Sequence, residues 1–123
     1  LRAVLETHLD HLQRLRAAGD WLVYVHLLQA GNLAFESTPL NYHRRHENSV
    51  TISQFTLDDL TEIAAMQAYI GEHFPITADQ RARARRYLTH LIEHFDMRDQ
   101  YTDTQLDAAQ RGNTRSAAPK SMV

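Results

Sequence analysis

At 123 residues, with a formal net charge of -2 and no cysteine, the chain has the size of one ordinary domain and holds neither a disulfide scaffold nor a thiolate metal site. There is no basic excess to argue for nucleic acid, no apolar run near the ~20 residues that span a bilayer, and no charged-then-apolar leader. Eight histidines put metal ligation and pH sensitivity among the chemistries to weigh.

The chain opens at Leu1, directly inside a helical pattern, as expected of a fragment or of a chain whose start is missing. Leu1, Leu5, Leu9, Leu12 and Leu15 recur at helical spacing, which predicts an amphipathic helix ending near Ala18 with Gly19 as its stop. Asp20 then stands where an N-cap belongs, its carboxylate able to accept from the free amides of the next turn. Trp21, Leu22, Val25 and Leu28 give the following helix an apolar face, and Gly31 closes it. Leu33 to Glu36 and Leu40 to Arg44 alternate in the strand sense around Pro39, so a short β-hairpin is expected here. Within the second run Tyr42 and His43 point to opposite faces.

Glu47 to Phe55 is polar and is expected to be irregular. Thr56-Leu57-Asp58-Asp59 opens a helix with an acidic first turn. Leu60, Ile63, Ile70 and Phe74 mark its buried stripe, and Pro75 ends it. Thr77-Ala78-Asp79-Gln80 is a capping box for a helix with Ala84, Tyr87, Leu88, Leu91, Ile92 and Phe95 on one side. The pair reads as an antiparallel helical hairpin. A further short helix is expected from Thr102 to Ala109, and a polar tail from Arg111 to Val123.

Residues 19–51 carry an ordered set of features: Gly19-Asp20-Trp21-Leu22-Val23-Tyr24, then Leu27-Leu28-Gln29-Ala30-Gly31, then Pro39-Leu40-Asn41-Tyr42-His43-Arg44-Arg45-His46-Glu47-Asn48-Ser49-Val50-Thr51. This order resembles the C-terminal part of the family-two, nucleotide-diphosphate-sugar-binding glycosyltransferases, especially bacterial enzymes that build O-antigen and other surface polysaccharides. In that family an acidic step opens a helix near the acceptor, and a short strand ending in Pro-Leu leads to a Tyr-Arg-x-His-x-x-Ser-Val-Thr run. The residue before the Asp is Gly19 here, where the family more often has Glu.

The resemblance implies a mainly α fragment with a short β-hairpin. Residues 1–51 would finish a Rossmann-like catalytic domain, 52–110 would form a helical extension and 111–123 a flexible tail. It implies that Asp20 is the catalytic base of an inverting transfer, taking the proton of the acceptor hydroxyl as that oxygen attacks the anomeric carbon. It implies that His46 approaches the divalent cation, Mg or Mn, bound to the donor diphosphate. Arg44 and Arg45 would meet diphosphate charge through their guanidinium forks, and Trp21 and Tyr42 would pack the site or stack on a sugar. The implied partners are a nucleotide-sugar and a saccharide or lipid-linked acceptor. The implied location is cytoplasmic, peripheral to the inner membrane. The family's Asp-x-Asp metal motif lies upstream of the acidic step and has no counterpart here, since Asp58-Asp59 is a helix first turn. The piece alone is therefore expected to bind no cofactor and to be inactive. Apolar surface from Trp21, Leu33 and Phe35, meant for a missing half, would favour a homodimer.

Three other patterns compete. His90-Leu91-Ile92-Glu93-His94 matches a zinc-peptidase pattern with both imidazoles on one helical face, but such enzymes need a further ligand well downstream, where this chain ends in a polar tail; His8 and His11 form an equally weak pair. Arg81, Arg83, Arg85 and Arg86 load the first half of a helix with cations that its dipole disfavours; they read as a solvated face, or as a contact for anionic lipid headgroups. The reading from a different class is a small helical binding or scaffold module without catalysis.

Overall fold

The computed structural model describes residues 2, 3, 6, 10, 14–42 and 55–112. Arg2, Ala3, Glu6 and Asp10 are helical, and Arg2 reaches Glu6 one turn on at 2.7 Å. Four further α-helices follow: α1 (Gly19–Ala30), α2 (Leu57–His73), α3 (Ala78–His94) and α4 (Asp103–Gln110), with a 3-10 turn at Met97–Asp99. The chain is mainly helical, and no strand occurs among the described residues. None of the described helices is long and apolar enough to cross a membrane.

Three of the helices begin the way their sequences dictate. Thr56, Thr77 and Thr102 each accept from the backbone N–H three residues on. Asp59, Gln80 and Gln105 return the bond to the cap residue's own N–H, at 2.8, 2.9 and 2.9 Å. Each reciprocal pair satisfies amides that a helix start leaves orphaned.

The first half of the chain departs from expectation at two places. Residues 14–18 form a turn and bends outside any helix, so the leading helix stops before Ala18. Helix α1 then starts two residues early, because Leu22 N–H donates to the Ala18 carbonyl at 3.1 Å. Ala18 is therefore the N-cap, and Asp20 sits inside the first turn, where its carboxylate accepts from the adjacent Trp21 N–H. The bend that leads into α1 is held by a carboxylate from elsewhere. Glu62 on α2 accepts from the N–H groups of Arg16 at 3.0 Å, Ala17 at 2.8 Å and Ala18 at 3.3 Å. Three successive amides converging on one anion form a nest, and a charged acceptor makes each bond stronger than a neutral one.

The second departure is the expected hairpin. Residues 33–42 have no regular structure and are exposed throughout. Leu33, Phe35, Leu40 and Tyr42 keep between 77% and 99% of their surface accessible. A strand needs a ladder partner, and an isolated ribbon is marginal in water; among the described residues none is offered. The local order here is a turn in which Thr38 N–H donates to Glu36 at 2.7 Å. The Thr38 side chain and then its N–H hold the Glu36 carboxyl below the usual carboxylate range.

Helices α2 and α3 are antiparallel, as their stripes predict. Asp59 and Ile63 near the start of α2 share a cleft with Leu91 and Phe95 at the end of α3. Gln67 and Gly71 near the end of α2 share another with Arg81 and Ala84 near the start of α3. Helix α4 packs most extensively on α2. The main core joins Leu60, Ile63 and Ala64 to Leu88, Leu91 and Ile92, and closes with Met97, Leu106 and Ala109. A second cluster joins Ala18, Leu22 and Val25 to Met66. Trp21 packs against both, so it is half-buried rather than part of an exposed apolar patch. The boundary expected near residue 51 is thus bridged by packing between α1 and α2.

Among the described residues, two backbone positions lie in the left-handed region: Asp96, with φ 48°, after α3, and Gly112, with φ 63°, after α4. A Cβ on Gly112 would also come within 3.1 Å of the Ala65 backbone.

Replacing Glu62 with Ala leaves three amides without their acceptor and is expected to cost about 2 kcal/mol, with Gln in between; urea melts followed by helical circular dichroism measure it. Gly112→Ala combines the left-handed penalty with a backbone collision and is expected to cost about 2 kcal/mol by the same measurement.

Candidate functional site

The site that collects the sequence-predicted residues is a cleft of about 550 Å³ between the start of α1, the segment entering α2 and the far end of α3. Each wall has a local cause. The Arg16–Ala18 bend, tied to Glu62, delivers Gly19, Asp20 and Trp21 to one rim. Phe55 is placed by stacking on Phe95, with ring centroids 4.5 Å apart and planes 11° from parallel. Tyr87, about 42% exposed, completes the aromatic lining from α3.

Two carboxylates and one guanidinium enter this cleft, and their roles differ. Asp59 is 3% exposed. Its Oδ2 accepts from the Thr56 N–H at 2.8 Å and the Thr56 hydroxyl at 2.9 Å. Arg16 Nε stands 3.8 Å from its Oδ1. Asp59 is therefore committed to the helix start and to the bend, and a buried charge so paired is structural. Asp20 is exposed; among the described residues its Oδ1 accepts only from the N–H of Trp21, at 2.9 Å. It is the cleft carboxylate with capacity to spare. An acceptor oxygen flanked by aromatic faces suits a hydroxyl-bearing ligand, the carboxylate taking O–H donors and the rings covering apolar C–H surface.

Of the residues singled out in the sequence, the structure brings Asp20 and Trp21 to this cleft. It does not bring Tyr42, which is 99% exposed and stands outside the lining. His43, Arg44, Arg45 and His46 lie outside the described residues, as do His8, His11 and the tail beyond Gly112. No group of three or more His, Cys, Asp or Glu side chains that could hold a metal occurs among the described residues. His90 and His94 stack at 5.7 Å on the exposed side of α3 without a third ligand of that kind. A different imidazole pair is structural: Tyr69 stacks on His73 at 3.9 Å and meets His26 edge-on at 5.9 Å, which ties α1 to α2.

Sequence reasoning missed Glu62, Phe55 and Arg16 as site-forming groups. Glu62 lies on α2, and its amide partners are 44 to 46 residues away, a distance no local pattern reports. Phe55 could have been found, since a large aromatic one residue before a capping threonine is well placed to pack beside the helix it precedes.

Comparison with protein-family models, with curated proteins and with solved structures finds no match to this chain.

The two carboxylates should separate in a stability assay. Asp59→Ala removes a cap and the Arg16 contact and is expected to lower stability by about 2 kcal/mol. Asp20→Ala removes a first-turn charge and one local bond, and less than ~1 kcal/mol is expected. Equal losses in thermal melts would mean that Asp20, too, is structural.

Proposed function

We propose that this chain is the acceptor-side, C-terminal part of a family-two glycosyltransferase acting in surface polysaccharide synthesis, in which Asp20 serves as the base that deprotonates the acceptor hydroxyl. The observation that carries the reading is the place of Asp20: an exposed carboxylate with spare accepting capacity at the mouth of an aromatic cleft. It is joined in sequence to the ordered run from Trp21 to Thr51 that resembles the family. In this reading the acceptor sugar lies against Trp21 and Tyr87, its attacking hydroxyl donates to Asp20, and the carboxylate receives the proton as the new glycosidic bond forms. Arg44, Arg45 and His46 would meet the diphosphate and its Mg or Mn ion on the donor side. The cation would neutralise the leaving diphosphate when bound. The donor-binding strands would come from sequence upstream of Leu1, and the protein would work at the cytoplasmic face of the membrane that carries its acceptor.

The exposed apolar residues fit the same reading. Helix α1 is apolar on nearly every side, yet Tyr24 and Leu28 stay 60% and 42% exposed, beside Leu33 at 77%. Apolar surface of this kind marks a contact face, here for the rest of a catalytic domain or, in the isolated chain, for a second copy.

A second reading, a helical binding module without chemistry, is favoured by one observation. The core of α2, α3 and α4 closes on itself, with Leu60, Ile92 and Leu106 essentially buried, and needs nothing from a catalytic domain.

The test is made in the parent polypeptide. Asp20→Asn should reduce sugar transfer by a factor of at least about 100 while donor binding, read by nucleotide-sugar titration, is unchanged. Unchanged transfer in that variant removes Asp20 from the chemistry and leaves the module reading. The 123 residues alone, incubated with nucleotide-sugars and Mn²⁺, should show no turnover, and robust turnover would contradict the division of the site proposed here.

A further inference from the structure

A second cleft, of about 370 Å³, opens between the C-terminal half of α2, the N-terminal half of α3 and the end of α4. Arg81 and Arg85 enter it from α3, Arg111 from the end of α4, and Gln67 and Gln110 from α2 and α4. Among the described residues no aspartate or glutamate lines it. Its apolar floor comes from Ala64, Ala68 and Leu88.

The arginines of α3 divide by their surroundings. Arg83, outside this cleft, is paired with Asp79 at 2.8 Å. Arg81 and Arg85, inside it, have no carboxylate partner among the described residues. Arg111 is tethered through its Nε to the Asp107 carbonyl at 3.1 Å, which fixes the stem and leaves the terminal nitrogens of the fork for another acceptor. Arg81 stands at the first turn of α3, where a cation opposes the helix dipole, so helix stability does not account for it. Gly71 adds a second sign of a built arrangement. A Cβ there would stand 3.0 Å from a terminal nitrogen of Arg81; the guanidinium lies against the bare backbone of this glycine, and a methyl group would displace it by a few tenths of an ångström.

We propose that this cleft binds a phosphorylated ligand, its phosphate or diphosphate group held by the forks of Arg81, Arg85 and Arg111 and its adjoining apolar part resting on the Ala64, Ala68 and Leu88 floor. Three guanidinium groups with no acid among them call for a multiply charged anion, which phosphate oxygens supply and a single carboxylate does not. The volume falls in the range of small-molecule sites. The same chemistry is offered by a soluble diphosphate and by a phosphomonoester lipid headgroup. The site is separate from the Asp20 cleft and stands whether or not that cleft is catalytic.

Inorganic pyrophosphate, titrated calorimetrically into the protein, is the probe. Binding should weaken about tenfold with Arg81→Ala or Arg85→Ala, the loss of one charged hydrogen-bonding partner, and stay unchanged with Arg86→Ala, an arginine of the same helix outside the lining. Gly71→Ala keeps the fold and improves helix propensity but pushes Arg81 aside, so it should weaken binding without lowering the melting temperature; it decides the matter if an arginine variant fails to fold. In a second arm, the protein is sedimented with phosphatidylcholine vesicles with and without phosphatidate. Phosphatidate-dependent sedimentation lost in Arg81→Ala and retained in Arg86→Ala assigns a headgroup. Pyrophosphate binding without sedimentation assigns a soluble ligand. Absence of both, or an Arg86→Ala effect as large as that of Arg81→Ala, overturns the proposal, since only a diffuse positive surface would then remain.

Discussion

Glu62 is the group on which the arrangement of this molecule depends. Its carboxylate stands one turn beyond the start of α2 and gathers the amides of Arg16, Ala17 and Ala18. Those amides belong to the backbone just before α1 and include that of its N-cap, Ala18, one of the donors that a helix start leaves unmatched. By satisfying them from another helix, Glu62 fixes where α1 begins and how it leaves the bend. The packing follows: Ala18, Leu22 and Val25 come down on Met66, and Trp21 is drawn into the seam between the two clusters.

The same interaction makes the first cleft. Because the bend is pinned, Asp20 and Trp21 are held beside Asp59, and Arg16 lies within 3.8 Å of the Asp59 carboxylate. One acid is consumed by structure and the other is left with capacity to act. At the other end of the α2–α3 pair the charge is reversed, with Arg81, Arg85 and Arg111 and no acid among the described residues. The helical hairpin thus separates an acidic, aromatic cleft from a basic, small-residue one. Its core keeps both in place through Leu60 and Ile92, each 0% exposed.

Reading from sequence went furthest where the signal was local. The threonines at 56 and 77, each with an acceptor three residues on, announced helix starts that the structure confirms atom by atom. The spacing of Leu88, Leu91 and Ile92 identified the buried side of α3. It failed at Asp20, where a capping residue type sits two positions inside the helix it was expected to cap, and at residues 33–42, where alternation and β-branched or aromatic content found no neighbouring strand. In both cases the local pattern was present and the deciding partner was remote. Where a helix starts depends on how the chain before it is held, and a strand exists only when another strand takes its hydrogen bonds.

The sequence by itself determined that this chain would be helical, where three of its helices would start and stop, and which sides of α2 and α3 would be buried, because caps and periodicity act over a few residues and need no partner. Only the tertiary structure decided that Ala18 would cap α1, that Asp59 would be locked while Asp20 stayed available, and that three arginines from two helices would converge on one cleft. Those outcomes rest on contacts across tens of residues, where the position of a charge in space, rather than its place in the chain, sets what it can do.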